Sequence, residues 1–212
     1  IKLLCRLYDP TEGVILLNGV DIRKYNYDEY LSIFSVVFQD FRLFSFSLGQ
    51  NVAAGAEYDR ERAVSCLREA GFGERLDRMP EGLETSLYQD FDKAGMEISG
   101  GEAQKIALAR ALYKNAPFIV LDEPTAALDP VSEYEVYRKF NEISGGRTAV
   151  YISHRLASCR FCDEILVFHE GQIVQHGAHE ALLAESGGKY AELWNAQAQY
   201  YTDAQAGAEA EA

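Results

Sequence analysis

Two adjacent carboxylates close an apolar run near the middle of the chain. The run FIVL, residues 118–121, has the composition of a strand buried on both faces, and Asp122, Glu123 and Pro124 follow it directly. Adjacent residues of a strand point in different directions, so one carboxylate can meet a metal ion while the other reaches a nearby water molecule. Because open α/β sheets bind ligands at the carboxyl ends of their strands, the pair suggests a ligand of opposite charge. Acids that merely end a strand are the alternative.

Polar side chains also follow two other strand-like runs. His154 comes just after the run TAVYI, residues 148–152, and an imidazole there can donate to a phosphate oxygen or orient a water molecule. Gln39 follows IFSVVF, residues 33–38, and its amide can bind a metal ion or water. Taken alone, each residue is more often a loop residue that faces solvent, so neither identifies a site by itself.

The segment ISGGE, residues 98–102, has the pattern of a helix start that can bind an anion. Ser99 and Glu102 form an S-x-x-E capping box, and AQKIALARAL then has apolar residues at helical spacing. Gly100 and Gly101 leave the first backbone N–H groups unshielded at the positive end of the helix dipole. The alternative is an ordinary capped helix with two glycines in its first turn.

The elements that must position these residues alternate between strands and helices. Buried strands are predicted at 33–38, 118–121 and 148–152, and mainly helical sequence at 50–115 and 131–143. This alternation predicts an α/β fold with a mainly parallel sheet.

Shorter patterns predict the remaining elements. Asn18-Gly19 predicts a β-hairpin, and Glu170-Gly171 lies between two strand-like runs, EILVF and QIVQHG. Residues 1–7 have helical spacing, and HEALLAES and KYAELWNAQ predict two terminal helices. The small and acidic residues 199–212 predict a disordered tail.

The composition argues against several classes of function. A formal net charge of −13 over 212 residues is unsuited to a nucleic-acid surface, although a few local donors and a metal ion can still hold a phosphate group. The sequence has no apolar run of membrane-spanning length and no signal peptide, which indicates a soluble, cytoplasmic chain. Cys159 and Cys162 form a CxxC without a second ligand pair, so we predict thiols that pack in the core rather than a zinc or redox site.

Together, these features occur in an order that resembles the ATP-binding cassette (ABC) ATPases, over residues 1–198. The corresponding motifs are Gln39 as the Q-loop glutamine, ISGGE as the signature motif, FIVLDE as Walker B, Ala127-Leu128-Asp129 as the D-loop and His154 as the switch histidine. The flanking segments RLYDPTEGVILLNGVDI and GQIVQHGAHEALLAE are most similar to exporter-type domains. The resemblance implies a P-loop NTPase core with a helical signature subdomain at about 50–115.

The resemblance also implies an activity and a set of roles. The domain would hydrolyse ATP at the cytoplasmic face of the cell membrane to drive transport. Asp122 would hold Mg²⁺, with Gln39 linking the metal site to the membrane partner, while Glu123 and His154 would act on the attacking water and the γ-phosphate.

The same resemblance implies two protein partners. Two ATPase domains, identical or different, would pair head to tail around two ATP molecules, so that Ser99, Gly100 and Gly101 grip ATP bound to the opposite subunit. Asp129 of the D-loop is expected among the residues that contact ATP. A transmembrane domain, fused before the ATPase domain, would be the second partner.

The sequence departs from the family at several points. No GxxxxGK[ST] loop is present, and IKLLCRLYDP resembles the continuation of the helix that follows this loop. We therefore expect a chain that begins just past its P-loop, lacks the preceding strand, binds ATP weakly and hydrolyses it negligibly on its own. The family's usual leucine and glutamine around SGG are Ile98 and Glu102, and Glu102 is expected to cap its helix rather than to touch ATP. The segment YQDFDKAGME also lacks the usual glycine–glutamate pattern that senses the membrane domain.

Two other classes compete with an exporter. ABC ATPases of chromosomes and DNA repair carry long heptad-bearing insertions between the Q-loop and the signature, whereas only a short helical segment separates Gln39 from Ser99. A non-catalytic partner domain that supplies its signature motif to another subunit's ATP site stays open. The presence of Glu123 and His154 argues against such degeneracy in the longer protein.

Overall fold

The computed structural model describes residues 1–124 and 146–210. They form two compact units, Ile1–Ile152 and Ser153–Ala212. The first unit contains a three-stranded sheet, a small hairpin and most of the helices, and the second contains a β-hairpin and two helices.

A parallel sheet forms the centre of the first unit. Its strands are β3 (Phe34–Val37), β4 (Phe118–Asp122) and β5 (Thr148–Ile152), in the order β3-β4-β5. Both pairs are parallel, which confirms the predicted α/β fold with a mainly parallel sheet. The middle of β4 is almost fully buried because this strand lies between the other two.

Among residues 1–124 and 146–152, the α-helices that accompany this sheet are α1 (Tyr27–Ser32), α2 (Leu48–Ala53), α3 (Arg60–Glu69), α4 (Gly73–Asp77) and α5 (Gly100–Lys114). Helix α5 packs against α2, α3 and β3, and it buries apolar residues such as Ile106 and Ala109. The largest apolar cluster combines this face of α5 with residues of the other helices, including Leu48 and Leu67. The mainly helical character predicted for 50–115 is therefore confirmed, while its separation as a subdomain stays a prediction.

The amino-terminal part confirms the predicted hairpin but not the predicted helix. Strands β1 (Leu16–Leu17) and β2 (Val20–Asp21) pair antiparallel across Asn18 and Gly19, which have φ angles of 51° and 79°. The helix predicted for residues 1–7 is wrong, because the backbone leaves helical geometry at Arg6, with a φ of 52°. The Cys5 N–H donates to the Ile1 carbonyl over 2.9 Å, and beyond the left-handed Arg6 the Leu7 N–H donates to the Lys2 carbonyl over 2.9 Å, which is a pattern that ends a helical turn.

The second unit is built on the predicted strand, turn and strand. Strands β6 (Ile165–His169) and β7 (Gln172–Gly177) pair antiparallel, and helices α6 (His179–Ala184) and α7 (Lys189–Ala210) follow them. Helix α7 continues across residues 199–210, where the sequence predicts disorder. The alanine, glutamate and glutamine residues in this stretch are strong helix formers, and this explains the difference.

One predicted element cannot be compared. The helix expected at 131–143 lies outside the described residues. Of the helices that are described, none combines the length and the apolar composition needed to cross a bilayer.

All four cysteines are free and lie in or against apolar clusters. Cys5 and Cys66 are buried in the first unit, and Cys159 and Cys162 are half-buried in the second. The prediction of core-packing thiols is thereby confirmed. Burial, with a smaller contribution from the neighbouring Cys162, raises the pKa of Cys159 to about 11.

The raised pKa of Cys159 predicts slow alkylation. Since its ordinary value is 9.0 and its folded value about 11, the thiolate population at pH 8 falls ~100-fold on folding. We expect iodoacetamide to modify Cys159 at least ~100-fold more slowly in the native chain than in urea, and the native rate to rise steeply up to pH 11. Peptide mass spectrometry measures both rates. Equal rates in the native and unfolded chains would contradict the burial of this thiol.

Candidate functional site

The parallel register of β3 and β4 brings Gln39 and Glu123 together. Val37 pairs with Leu121, so the residues two positions further along each strand lie opposite each other. Gln39 Nε2 donates a hydrogen bond to Glu123 Oε2 over 3.2 Å, across 84 residues of sequence. Two of the polar residues predicted at strand ends therefore meet at one edge of the sheet.

Asp122 and Glu123 occupy the end of the central strand. Asp122 is the last residue of β4 and pairs with Ile152 of β5, while Glu123 donates its backbone N–H to the Ile152 carbonyl over 3.0 Å. Both carboxylates are half-buried. Glu123 has a φ of 48°, a left-handed conformation that costs a non-glycine residue about 1–2 kcal/mol. Such strain is frequent at functional sites, where the surrounding structure enforces it.

The donor set at this edge fits a magnesium ion. Carboxylate and amide oxygens, as on Asp122 and Gln39, are the hard ligands that Mg²⁺ prefers. Within residues 1–124 and 146–210, no group of three or more His, Cys, Asp or Glu side chains could hold a metal ion alone. In proteins Mg²⁺ is usually held by one or two carboxylates, with phosphates and water completing its shell.

The Ser-Gly-Gly segment forms the amino terminus of α5, as predicted. Ser99 Oγ accepts a hydrogen bond from the Glu102 backbone N–H over 3.3 Å, and Glu102 Oε2 accepts one from the Ser99 N–H over 2.9 Å. The predicted capping box is therefore confirmed. The other carboxylate oxygen of Glu102 lies 2.9 Å from Arg75 Nε, in an ion pair that is close but not aligned as a hydrogen bond.

The start of α5 is accessible from outside the unit. Ser99 and Gly100 are exposed and Gly101 is half-buried, so the first N–H groups of a 15-residue helix can be reached by an anion on another molecule. Arg75 offsets part of the Glu102 charge beside this helix start. No sequence pattern indicated Arg75, because an ion pair between residues so far apart in sequence leaves no local signal.

Of the remaining predicted site residues, His154 lies in the second unit and Asp129 lies outside the described residues. His154 belongs to the second unit, where its side chain is exposed and its backbone carbonyl accepts a hydrogen bond from Gln197 Nε2. Asp129, with the rest of the predicted D-loop, lies outside the described residues. The roles of these residues stay predictions.

Comparison with known proteins identifies relatives of the whole chain. A family model described as ABC transporter matches residues 1–126. An ATP-dependent lipid A-core flippase of Burkholderia orbicola is 41% identical over 199 residues, which are 94% of this chain and 33% of that protein. The ABC transporter B family member 6 of Dictyostelium discoideum is 38% identical over 197 residues, covering 92% of this chain and 28% of that protein. The chain thus spans a third or less of the length of these relatives.

A solved structure has the same fold. The structure of a bacterial Atm1-family ABC exporter with ATP bound matches 93% of this chain and 34% of its own, with a TM-score of 0.84 and 35% sequence identity. This agreement extends the likeness beyond the residues that the family model matches.

The capping box predicts a measurable loss of stability on substitution of Ser99. We expect Ser99→Ala to lower the free energy of unfolding by about 0.5–2 kcal/mol, because the N–H group of Glu102 loses its acceptor. Urea denaturation followed by circular dichroism measures the change. Ser65→Ala, inside α3 and away from any cap, is the control and should change stability by less than about 0.5 kcal/mol. Equal effects of the two substitutions would contradict the cap.

Proposed function

Because the chain belongs to the ABC transporter family, we propose that it is the nucleotide-binding domain of an exporter, which hydrolyses ATP to drive transport across a membrane. The observation that carries the proposal is the hydrogen bond between Gln39 and Glu123 at the ends of two parallel strands. It joins the expected metal-site glutamine to the expected catalytic carboxylate, beside Asp122, at the sheet edge where α/β folds bind ligands.

The proposed mechanism assigns separate tasks to the residues at this edge. Asp122 and Gln39 would hold Mg²⁺, which would supply positive charge that offsets the charge of the ATP phosphates. Glu123 orients the attacking water and accepts its proton. The hydrogen bond from Gln39 orients the Glu123 carboxylate.

The remaining residues complete the proposed site from other parts of the chain and from a second subunit. His154 contacts the γ-phosphate. Ser99, Gly100 and Gly101 grip ATP on the opposite subunit of a head-to-tail dimer, with Asp129 near the same nucleotide. The exposed start of α5 supports this arrangement, because its N–H groups can be reached by a phosphate that another domain holds. A membrane-spanning domain of the same polypeptide, on whose cytoplasmic side this domain works, is the second partner.

The 212 residues by themselves support a narrower activity. They contain no GxxxxGK[ST] loop, whose backbone N–H groups and lysine would hold the phosphates. We therefore propose that this chain alone hydrolyses ATP negligibly and can act as a non-catalytic partner that presents Ser99, Gly100 and Gly101 to ATP on an intact domain.

Phosphate release and ATP-dependent pairing test the narrower activity. With saturating MgATP, we expect the purified chain to show no turnover above background. When it is mixed with an intact ABC ATPase domain whose catalytic glutamate is replaced by glutamine, we expect ATP-dependent pairing in sedimentation velocity. Saturable turnover by the chain alone, abolished by Glu123→Gln, would contradict the proposal.

The catalytic role of Glu123 is tested in a longer protein that joins this chain to a GxxxxGK[ST] loop. There we expect Glu123→Gln to lower kcat by about 10²–10⁴-fold with ATP binding retained, because the amide cannot accept a proton. The matched control is Glu97→Gln, at an exposed glutamate just before the signature segment, which should leave kcat unchanged. Unchanged hydrolysis by Glu123→Gln would exclude Glu123 as the general base.

A further inference from the structure

The structure contains an arginine clamp that the proposed mechanism does not use. We propose that Arg110 and Asn51 are positioning residues, which tie residues 42–47, hereafter the 42–47 segment, to helix α5. This segment begins three residues after Gln39, and α5 begins at the Ser-Gly-Gly motif. The clamp thus joins the segment that follows Gln39 to the helix that, under the proposed function, presents its N-terminus to a second subunit. The effect of the clamp on pairing with that subunit rests on the proposed function, whereas its hydrogen bonds do not.

Asn51 organises the 42–47 segment from within. It lies in α2, is 2% exposed, and its Oδ1 accepts a hydrogen bond from the Phe44 backbone N–H over 2.9 Å. Its Nδ2 donates to the carbonyl oxygens of Phe44, Phe46 and Ser47, over 2.9, 3.3 and 3.1 Å. One buried amide therefore bonds four backbone groups of a segment that forms no regular strand or helix.

Arg110 connects this arrangement to α5. Its Nε donates to the Asn51 carbonyl over 2.7 Å, its Nη1 to the Arg42 carbonyl over 3.1 Å, and its Nη2 approaches Asn51 Oδ1 at 3.4 Å. The rigid guanidinium fork donates to the Asn51 and Arg42 carbonyl groups at the same time, which a single ammonium group cannot do.

The charge of Arg110 makes this contact difficult to break. Its side chain is half-buried, burial lowers its pKa, and its acceptors in the described part of the chain are all neutral oxygens. A charge that is withdrawn from water and then loses its hydrogen bonds carries a large desolvation cost. Displacing the 42–47 segment breaks the bond from Nη1 to the Arg42 carbonyl, and displacing Asn51 breaks the other two bonds, so the segment is held to α5 both directly and through Asn51.

Two aromatic rings of the 42–47 segment are exposed. Phe44 and Phe46 are 57% and 55% exposed, while their carbonyl groups accept hydrogen bonds from Asn51 Nδ2.

Hydrogen exchange of the 212-residue chain, read at single amides by NMR, tests the clamp. We expect Arg110→Met to accelerate exchange of the Phe44 N–H about tenfold or more, the effect of losing hydrogen bonds to a charged group. The matched control is Lys114→Met. Lys114 is on the same helix, burial also lowers its pKa, and it donates to the Leu31 carbonyl over 2.9 Å, away from the segment.

The outcomes of the exchange experiment separate a clamp from general destabilisation. Acceleration confined to the 42–47 segment in Arg110→Met, and absent in Lys114→Met, supports the clamp. Unchanged exchange, or equal acceleration in α3 and in the segment, overturns it. Arg110→Lys keeps the charge without the fork, so we expect Phe44 exchange to remain accelerated in this variant. Full rescue by lysine would also overturn the clamp. If Arg110→Met does not fold, Arg110→Lys alone decides.

The functional consequence is tested by ATP-dependent pairing with the intact ABC ATPase domain. We expect Arg110→Met to weaken pairing severalfold and Lys114→Met to leave it unchanged, because only the first loosens α5 from the segment. Unaltered pairing in Arg110→Met would overturn the link between the clamp and the helix start. Failure of the unsubstituted chain to pair counts against the proposed function instead, and the clamp is then decided by the hydrogen exchange of Phe44.

Discussion

The parallel pairing of β3 with β4 is the constraint on which the candidate site depends. The buried residues of the two strands fix which face each side chain occupies, and the register then places Gln39 opposite Glu123. A shift of one residue would reverse the faces of every side chain on one strand and separate the two polar groups. The apolar run before Asp122 is therefore part of the site, because its burial enforces the register that brings the amide and the carboxylates to one edge.

Helix α5 has two regions with different surroundings. One face packs tightly in the core, while the start of its first turn is exposed and, under the proposed function, receives an anion. The sequence separates the two along the helix: Gly100 and Gly101 come first, and the apolar residues begin after them. The charge of Glu102 is directed into the cap of Ser99 and toward Arg75. Under the proposed function, a carboxylate can thus occupy this position without pointing at the phosphate of a second subunit's ATP.

The sequence predicts those features that arise from local patterns. Strands β3, β4 and β5, both hairpins and the capping box each follow from a few consecutive residues. The sequence predicts that the polar residues lie at a common edge of the sheet, but not which of them are in contact. The contact of Gln39 with Glu123 follows only from the register of β3 and β4. The bonds of Arg110 to Asn51 and Arg42 join residues more than fifty positions apart, and no periodicity marks them. Residues 1–7 show the opposite failure, since their apolar spacing is helical but the left-handed backbone at Arg6 ends the turn.

The hydrogen bond of Gln39 to Glu123 and the contacts of the 42–47 segment that follows Gln39 differ in strength, as the proposed exchange of ligands at this edge requires. The hydrogen bond from Gln39 to Glu123 is exposed and 3.2 Å long, so water and ions compete with it and its net contribution is about 1 kcal/mol or less. Under the proposed function, a phosphate-bound Mg²⁺ would replace it at little cost. The 42–47 segment begins three residues after Gln39, and there Arg110 and Asn51 hold the chain with partly buried hydrogen bonds. Loss of the bond from Arg110 Nε would leave a partly buried guanidinium without this acceptor. The hydrogen bond of Gln39 to Glu123 is therefore weak, while Arg110 and Asn51 hold the 42–47 segment firmly. Under the proposed function, ligand binding can change the partner of Gln39 without unfolding the segment that follows it.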